Sequence, residues 1–277
     1  MGLLYKQPIK GLVKPEAQGH TNGAAVQKRP VANVTVEMVS AAGKIAIGEA
    51  LAQQITGTEG ELTTAQNAAT KLNLQKKLAK EWDDVNQPAP AAYYYQAIAG
   101  SENTFTNWLT AGNRFNDAFR FDQDTVTQPA FVQNAIACLK NAVKIKPANL
   151  DAKTALGVAY VNQTSVGVTD ADGGSPMQGI VLLLDVVRQD PNNISANFNL
   201  GMFAVTSRQY DKAIQRFKTV IAHATNPGFE PYFYLAESYR QLGMKPEALE
   251  AYQKSKDIAR DTAIDKRIDE YINELKK

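Results

Sequence analysis

Five positions in this chain recur at an offset of 35 residues: Leu200 and Leu235, Gly201 and Ala236, Ala204 and Tyr239, Ala213 and Ala248, Phe217 and Tyr252. That period is too long for a coiled-coil heptad and suits a helix–turn–helix unit. The leucine–small pair belongs to the first helix of a unit, where a glycine or alanine lets a second helix approach closely. The later alanine and aromatic are four apart, so they share one face of that second helix. One such unit cannot bury its apolar face alone, so units must stack.

Earlier stretches carry the same pattern. Leu78-Ala79 is followed by Trp82, and Ala91 and Tyr95 stand 13 and 17 residues after Leu78, the offsets that Ala213 and Phe217 keep from Leu200. A second stretch has Trp108, Ala111-Gly112 and Phe115, then Ala135, Leu139, Ala142 and Pro147, with 11 extra residues between its helices. A third has Leu156-Gly157 and Tyr160, then Gly179, Leu183, Val186 and Pro191, with 10 extra. The units are 72–104, 105–149, 150–193, 194–228 and 229–262.

This spacing resembles the tetratricopeptide repeat over residues 72–262. The departures are Gly179 in an alanine slot, Ala204 in a tyrosine slot and no proline closing the last unit. The resemblance implies an all-α, right-handed superhelical solenoid of about five helix pairs. It also implies a non-catalytic scaffold that binds a peptide or partner helix, with the first helices lining a concave groove. The groove positions are then Asn113, Asn116, Thr154, Val158, Phe198, Met202, Phe233, Glu237 and Arg240. Phe198, Met202 and Phe233 would form an apolar floor bordered by Glu237 and Arg240, or Phe198 and Phe233 would pack on the neighbouring unit. Asn113 and Asn116 would hydrogen-bond an extended backbone. Some members grip a C-terminal carboxylate with basic and amide side chains. Here those slots hold Lys76, Lys80, Thr110, Asp151 and Ala155, and only Lys76 fits. That activity is not carried over. An assembly subunit packing on a partner domain is the alternative function, and an enzyme the rival class.

Composition narrows the choice. Apolar residues make up 44% of the 277, enough for a continuous core. A net charge of +2 from 30 basic and 28 acidic residues gives no electrostatic case for nucleic acid. The single Cys138 excludes an intrachain disulfide, and the two histidines, His20 and His223, offer little to zinc. Asp170-Ala-Asp172-Gly-Gly-Ser175 starts like a calcium loop, but its fifth and twelfth positions are Gly174 and Val181, so it reads as a turn. Lys71, Lys76, Lys77 and Lys80 read as a solvated face, and one or two rings of Tyr93-Tyr94-Tyr95 as core. We find no phosphate loop, nucleophile elbow or paired-acid motif, and expect no cofactor and no metal.

The ends complete the plan. Residues 1–33 are proline- and glycine-rich and read as a linker or tether. Residues 34–71 are expected to form N-terminal capping helices: one helical pattern runs from Val34 to Ile55, and a second starts at Thr58-Glu-Gly-Glu61 and continues to about residue 85. Residues 263–277 should cap the other end. The insertions 119–129 and 163–177 should lie side by side on one edge of the stack. Two readings of Met1–Lys14 stand: a native start of a soluble cytoplasmic protein, or the end of a membrane anchor upstream of residue 1. In the second, Lys6, Lys10 and Lys14 with no acid before Glu16 favour a cytoplasmic array over a periplasmic one.

Overall fold

The structure, a computed structural model, describes residues 31–122, 124–166 and 176–276. Among the described residues the chain is thirteen helices and no strand. They are α1 (Val36–Ala46), α2 (Glu49–Thr64), α3 (Ala68–Asp84), α4 (Pro88–Glu102), α5 (Phe105–Phe121), α6 (Gln128–Ile145), α7 (Leu150–Val166), α8 (Pro176–Gln189), α9 (Ile194–Thr206), α10 (Tyr210–His223), α11 (Glu230–Gln241), α12 (Lys245–Ala259) and α13 (Thr262–Leu275). Contacts divide the chain into two units, Met1–Gly179 and Ile180–Lys277. Each is described by itself.

In unit 1 the helices pair in order, α3 with α4 and α5 with α6, and α7 follows on α5 and α6. The small residues of the repeat sit where helices come closest. A Cβ on Gly112 of α5 would stand 2.4 Å from the Leu139 side chain of α6. A Cβ on Gly179 of α8 would stand 2.5 Å from the Gly157 carbonyl of α7. Gly179 therefore takes an alanine slot because even a methyl group would collide with backbone. At the N-terminal end, Ile55, Leu78, Ala79, Trp82, Ala91, Tyr94 and Ile98 form one buried cluster. α1 leans on it through Gly43, whose missing side chain leaves room for the Trp82 ring, 2.9 Å from where a Cβ would be.

Two helix boundaries differ from the expectation. The apolar pattern from Val34 to Ile55 is broken after α1, because Gly48 has φ +80° and restarts the chain as α2. The helix expected from about residue 60 to 85 is two helices. α2 runs through Thr58 and stops at Thr64, and α3 starts where the Asn67 side chain accepts from the Thr70 amide at 2.7 Å. A pattern of apolar spacing does not register these breaks; the cap and the left-handed glycine make them.

In unit 2, α9 pairs with α10 and α11 with α12, and α13 packs on α12. The aromatic slots of the repeat join into a run of rings. Phe198 meets Phe217 at 5.9 Å, Phe217 stacks on Tyr234 at 5.8 Å, and Phe233 touches Tyr234 at 5.4 Å and Tyr252 at 5.9 Å. Tyr252 stacks in turn on Tyr271 of α13 at 5.7 Å. α13 is held at its start by Asp261, which accepts from the Ala263 and Ile264 amides. Its buried stripe is Ile264, Ile268, Tyr271, Ile272 and Leu275, the apolar row that covers the last pair.

Residues 1–30 and Asp170–Ser175, expected to form a turn, lie outside the described residues, as does part of the insertion 163–177.

Candidate partner-binding faces

In unit 1 the positions expected from the repeat to line a groove fall on α5 and α7. Asn113 is exposed and Asn116, one turn on, is half-buried. The Asn116 amide donates to the Ala155 carbonyl at 3.1 Å and so ties α5 to α7. Its Oδ1 is buried with no hydrogen-bond partner among the described residues. The Thr154 hydroxyl is in the same state, and its side chain is only 4% exposed. Val158, one turn further along α7, is half-buried. Thr154 is thus buried, while Asn113 and Val158 present surface.

The neighbouring polar cluster is fully engaged. Arg114 donates to both Asp83 oxygens, at 2.7 and 3.1 Å, and to Asp117 at 3.2 Å. The Tyr95 hydroxyl donates to Asp83 at 2.8 Å. The cluster ties α3, α4 and α5 together around a hollow of about 80 Å³. Asp83 holds the Arg114 pKa above its ordinary value, and burial raises that of Asp117. The separation of Asp83 from Arg114 in the chain hides this pair from a sequence reading, although both residues lie on first helices of consecutive repeats.

In unit 2 the positions fall on α9 and α11. Phe198 and Met202, one turn apart on α9, are both half-buried. Phe233 occupies the same register as Phe198 but is 3% exposed, because Tyr271 of α13 closes over it at 6.1 Å. Glu237 and Arg240 form a two-pronged ion pair at 2.8 and 3.1 Å. Glu237 also accepts from the Tyr252 hydroxyl, and the Arg240 guanidinium lies 5.6 Å from the Tyr271 ring centre. The pair raises the Arg240 pKa, with Glu237 as the main cause. Both charged groups are partly exposed, Arg240 at 28% and Glu237 at 18% of its side chain.

Unit 2 also has an open cleft of about 420 Å³ that was not read from the sequence. Ile214, Tyr239 and Met244 supply its apolar lining, and Asp211, Lys218 and Glu247 its charges. These residues come from α10, α11 and the start of α12, so no single stretch of sequence shows it. Lys218 already lies over the Tyr239 ring at 5.6 Å.

The chemistry elsewhere is quiet. Cys138 is fully buried, and burial pushes its thiol up to about 12, so the reactive thiolate is suppressed. Among the described residues no three His, Cys, Asp or Glu side chains are grouped to hold a metal ion. No described helix is long and apolar enough to cross a membrane.

No protein-family model and no curated protein matches the chain. Solved structures do. TTC0263, a thermophilic TPR protein of Thermus thermophilus, superposes with a TM-score of 0.55 at 19% identity, over 72% of this chain and 97% of that one. MamA aligns with a TM-score of 0.46 at 18% identity, over 65% of this chain and 93% of its own. YrrB, a TPR protein with an unusual peptide-binding site, aligns at 0.45 and 19% identity, over 80% and 98%. The last two superpose too loosely to add to the first. With its paired helices, its small residues at the closest helix contacts and its likeness to the Thermus protein, this chain has the tetratricopeptide-repeat fold.

Proposed function

We propose that the chain is a non-catalytic scaffold for protein–protein interaction, and that unit 2 holds an apolar peptide segment or a partner helix on α9. The observation that carries this reading is the pair Phe198 and Met202. Both keep part of their apolar surface open on one side of a helix whose other side, Ala196, Leu200, Gly201 and Ala204, is buried. Glu237 and Arg240 then supply polar contacts at the border, already fixed in direction by their ion pair. In unit 1, Asn113 and Asn116 would meet an extended backbone, with Asn113 the freer donor. An aromatic anchor with a polar rim is the usual make-up of a strong contact surface.

The test uses a partner recovered by pull-down of the full chain and identified by mass spectrometry. Met202→Ala and Phe198→Ala should each weaken that partner by about 1 kcal/mol or more. Met202→Ala should also leave the melting temperature nearly unchanged. Full partner binding by both variants would end this reading.

The second reading, an assembly subunit packing on a partner domain, is favoured by α8. Its Val181 and Leu184 lie about one turn apart and are both exposed. A subunit should co-purify at fixed stoichiometry, whereas a peptide-binding scaffold should not.

A further inference from the structure

α1 is apolar on two opposite sides. Val36, Val39, Ser40 and Gly43 recur at helical spacing on the side packed toward α2 and α4. Met38, Ala41, Ala42, Ile45 and Ala46 recur at the same spacing on the other side, and all five are exposed. The larger groups are on the open side: Met38 is 52% exposed and Ile45 88%, while the packed side is thinned to a glycine against Trp82. Leu51, at the start of α2, adds a further open apolar group at 43%. A helix apolar all round is normally covered on all sides. Among the described residues of unit 1, nothing covers this side of α1.

Size and charge say what can cover it. Eleven residues of helix span about 16 Å. One face of that length offers a few hundred Å², short of the roughly 600–1,000 Å² that each partner contributes to a stable protein interface. A second copy or a folded partner therefore gains too little there. A bilayer surface needs only a few apolar side chains at the headgroup boundary, provided charge assists. Residues 1–33 lead into α1 and carry Lys6, Lys10, Lys14, Lys28 and Arg29 against one acid, Glu16. On the helix ends Glu37 and Glu49 are exposed and oppose an anionic surface, while Lys44 is held by Glu59. The attraction must therefore come from the basic residues that precede α1.

We propose that the exposed face of α1 rests on an anionic lipid surface, brought there by the basic residues of 1–33. The face lies on the N-terminal capping helix and uses none of the partner-binding residues, so it stands apart from the groove reading.

The experiment is co-sedimentation of the full chain with vesicles of phosphatidylcholine alone and of phosphatidylcholine with about one-third phosphatidylglycerol. The chain should sediment with the anionic vesicles at low salt and be released at high salt. Ile45→Glu and Met38→Ser should each lower the bound fraction about tenfold with an unchanged melting temperature, since both side chains are exposed. Replacing Lys6, Lys10 and Lys14 by Gln should lower it comparably on anionic vesicles only. Phe198→Ala should bind vesicles like the parent. The proposal is overturned if the parent stays in solution with anionic vesicles, if it binds neutral vesicles equally, or if Ile45→Glu binds as well as the parent. It is also overturned if sedimentation velocity shows a dimer that Ile45→Glu dissociates, because a second copy would then own the face.

Discussion

Gly201 leaves no room for a side chain. A Cβ there would stand 2.8 Å from the Phe217 ring, which itself is fully buried and held by Phe198 and Tyr234. Gly201→Leu must push α9 away from α10, and we expect a loss of about 1–3 kcal/mol by denaturant unfolding. A neutral result would mean that the two helices do not meet at that point. Phe233 and Phe198 share a register but not a burial, and truncation should separate them. Phe233→Ala should cost about 3–5 kcal/mol and Phe198→Ala clearly less. Equal losses would remove Phe198 from any open surface. The tyrosines give a pH test. Burial raises Tyr93 to about 12, and burial with the Asp83 carboxylate raises Tyr95 to about 12, from an ordinary value of 10. Because the folded pKa exceeds the unfolded one, their contribution is complete below about pH 10 and is lost as pH climbs from there toward 12. The unfolding free energy should fall across that window, and tyrosinate absorbance should rise with it. Flat stability across the window would refute the burial of these hydroxyls.

At the scale of elements, caps and turns decide where each helix begins. Asp261 is the clearest case, accepting from the Ala263 amide at 2.8 Å and the Ile264 amide at 3.1 Å. Asp261→Ala should destabilise α13 by about 1 kcal/mol and bring proteolysis of residues 262–276 forward. Unchanged protease resistance would show that the ring contacts of Tyr271 hold this helix without its cap. The same logic explains the two boundaries that apolar spacing missed. Asn67 can be read as a cap, yet Thr58-Glu-Gly-Glu61 offered an equally good start nearby, and only the packing of α2 through Ile55 and Thr58 selects between them. A glycine inside a helix costs about 1 kcal/mol relative to alanine, and at Gly43 of α1 the Trp82 ring turns it into a fitted contact.

At the scale of the whole molecule, each contact unit has its own buried core, and in unit 2 the stack ends on α13. Deleting residues 262–277 would uncover Phe233, Tyr252 and the other groups that α13 shields. The shortened chain should stay helical by circular dichroism but melt several degrees lower and aggregate on heating. An unchanged melting temperature would mean that α13 is no cap. The repeat period was legible in the amino-acid sequence because helix pairing imposes it. Each close approach demands a small residue, and each buried face demands apolar groups at helical spacing, so the residue types themselves carry the fold. The same spacing supplied the register proposed here for a groove, Phe198 and Phe233 among its positions. The sequence could not reveal which side chains in that register remain open, since exposure depends on what the next helix places over them. Phe233 is covered by Tyr271, Thr154 is buried on α7, and Arg240 is paired with Glu237, whereas Phe198 and Met202 keep part of their surface. These outcomes, like the bare side of α1, arise from contacts between residues distant in the chain, and only the tertiary structure brings those residues together.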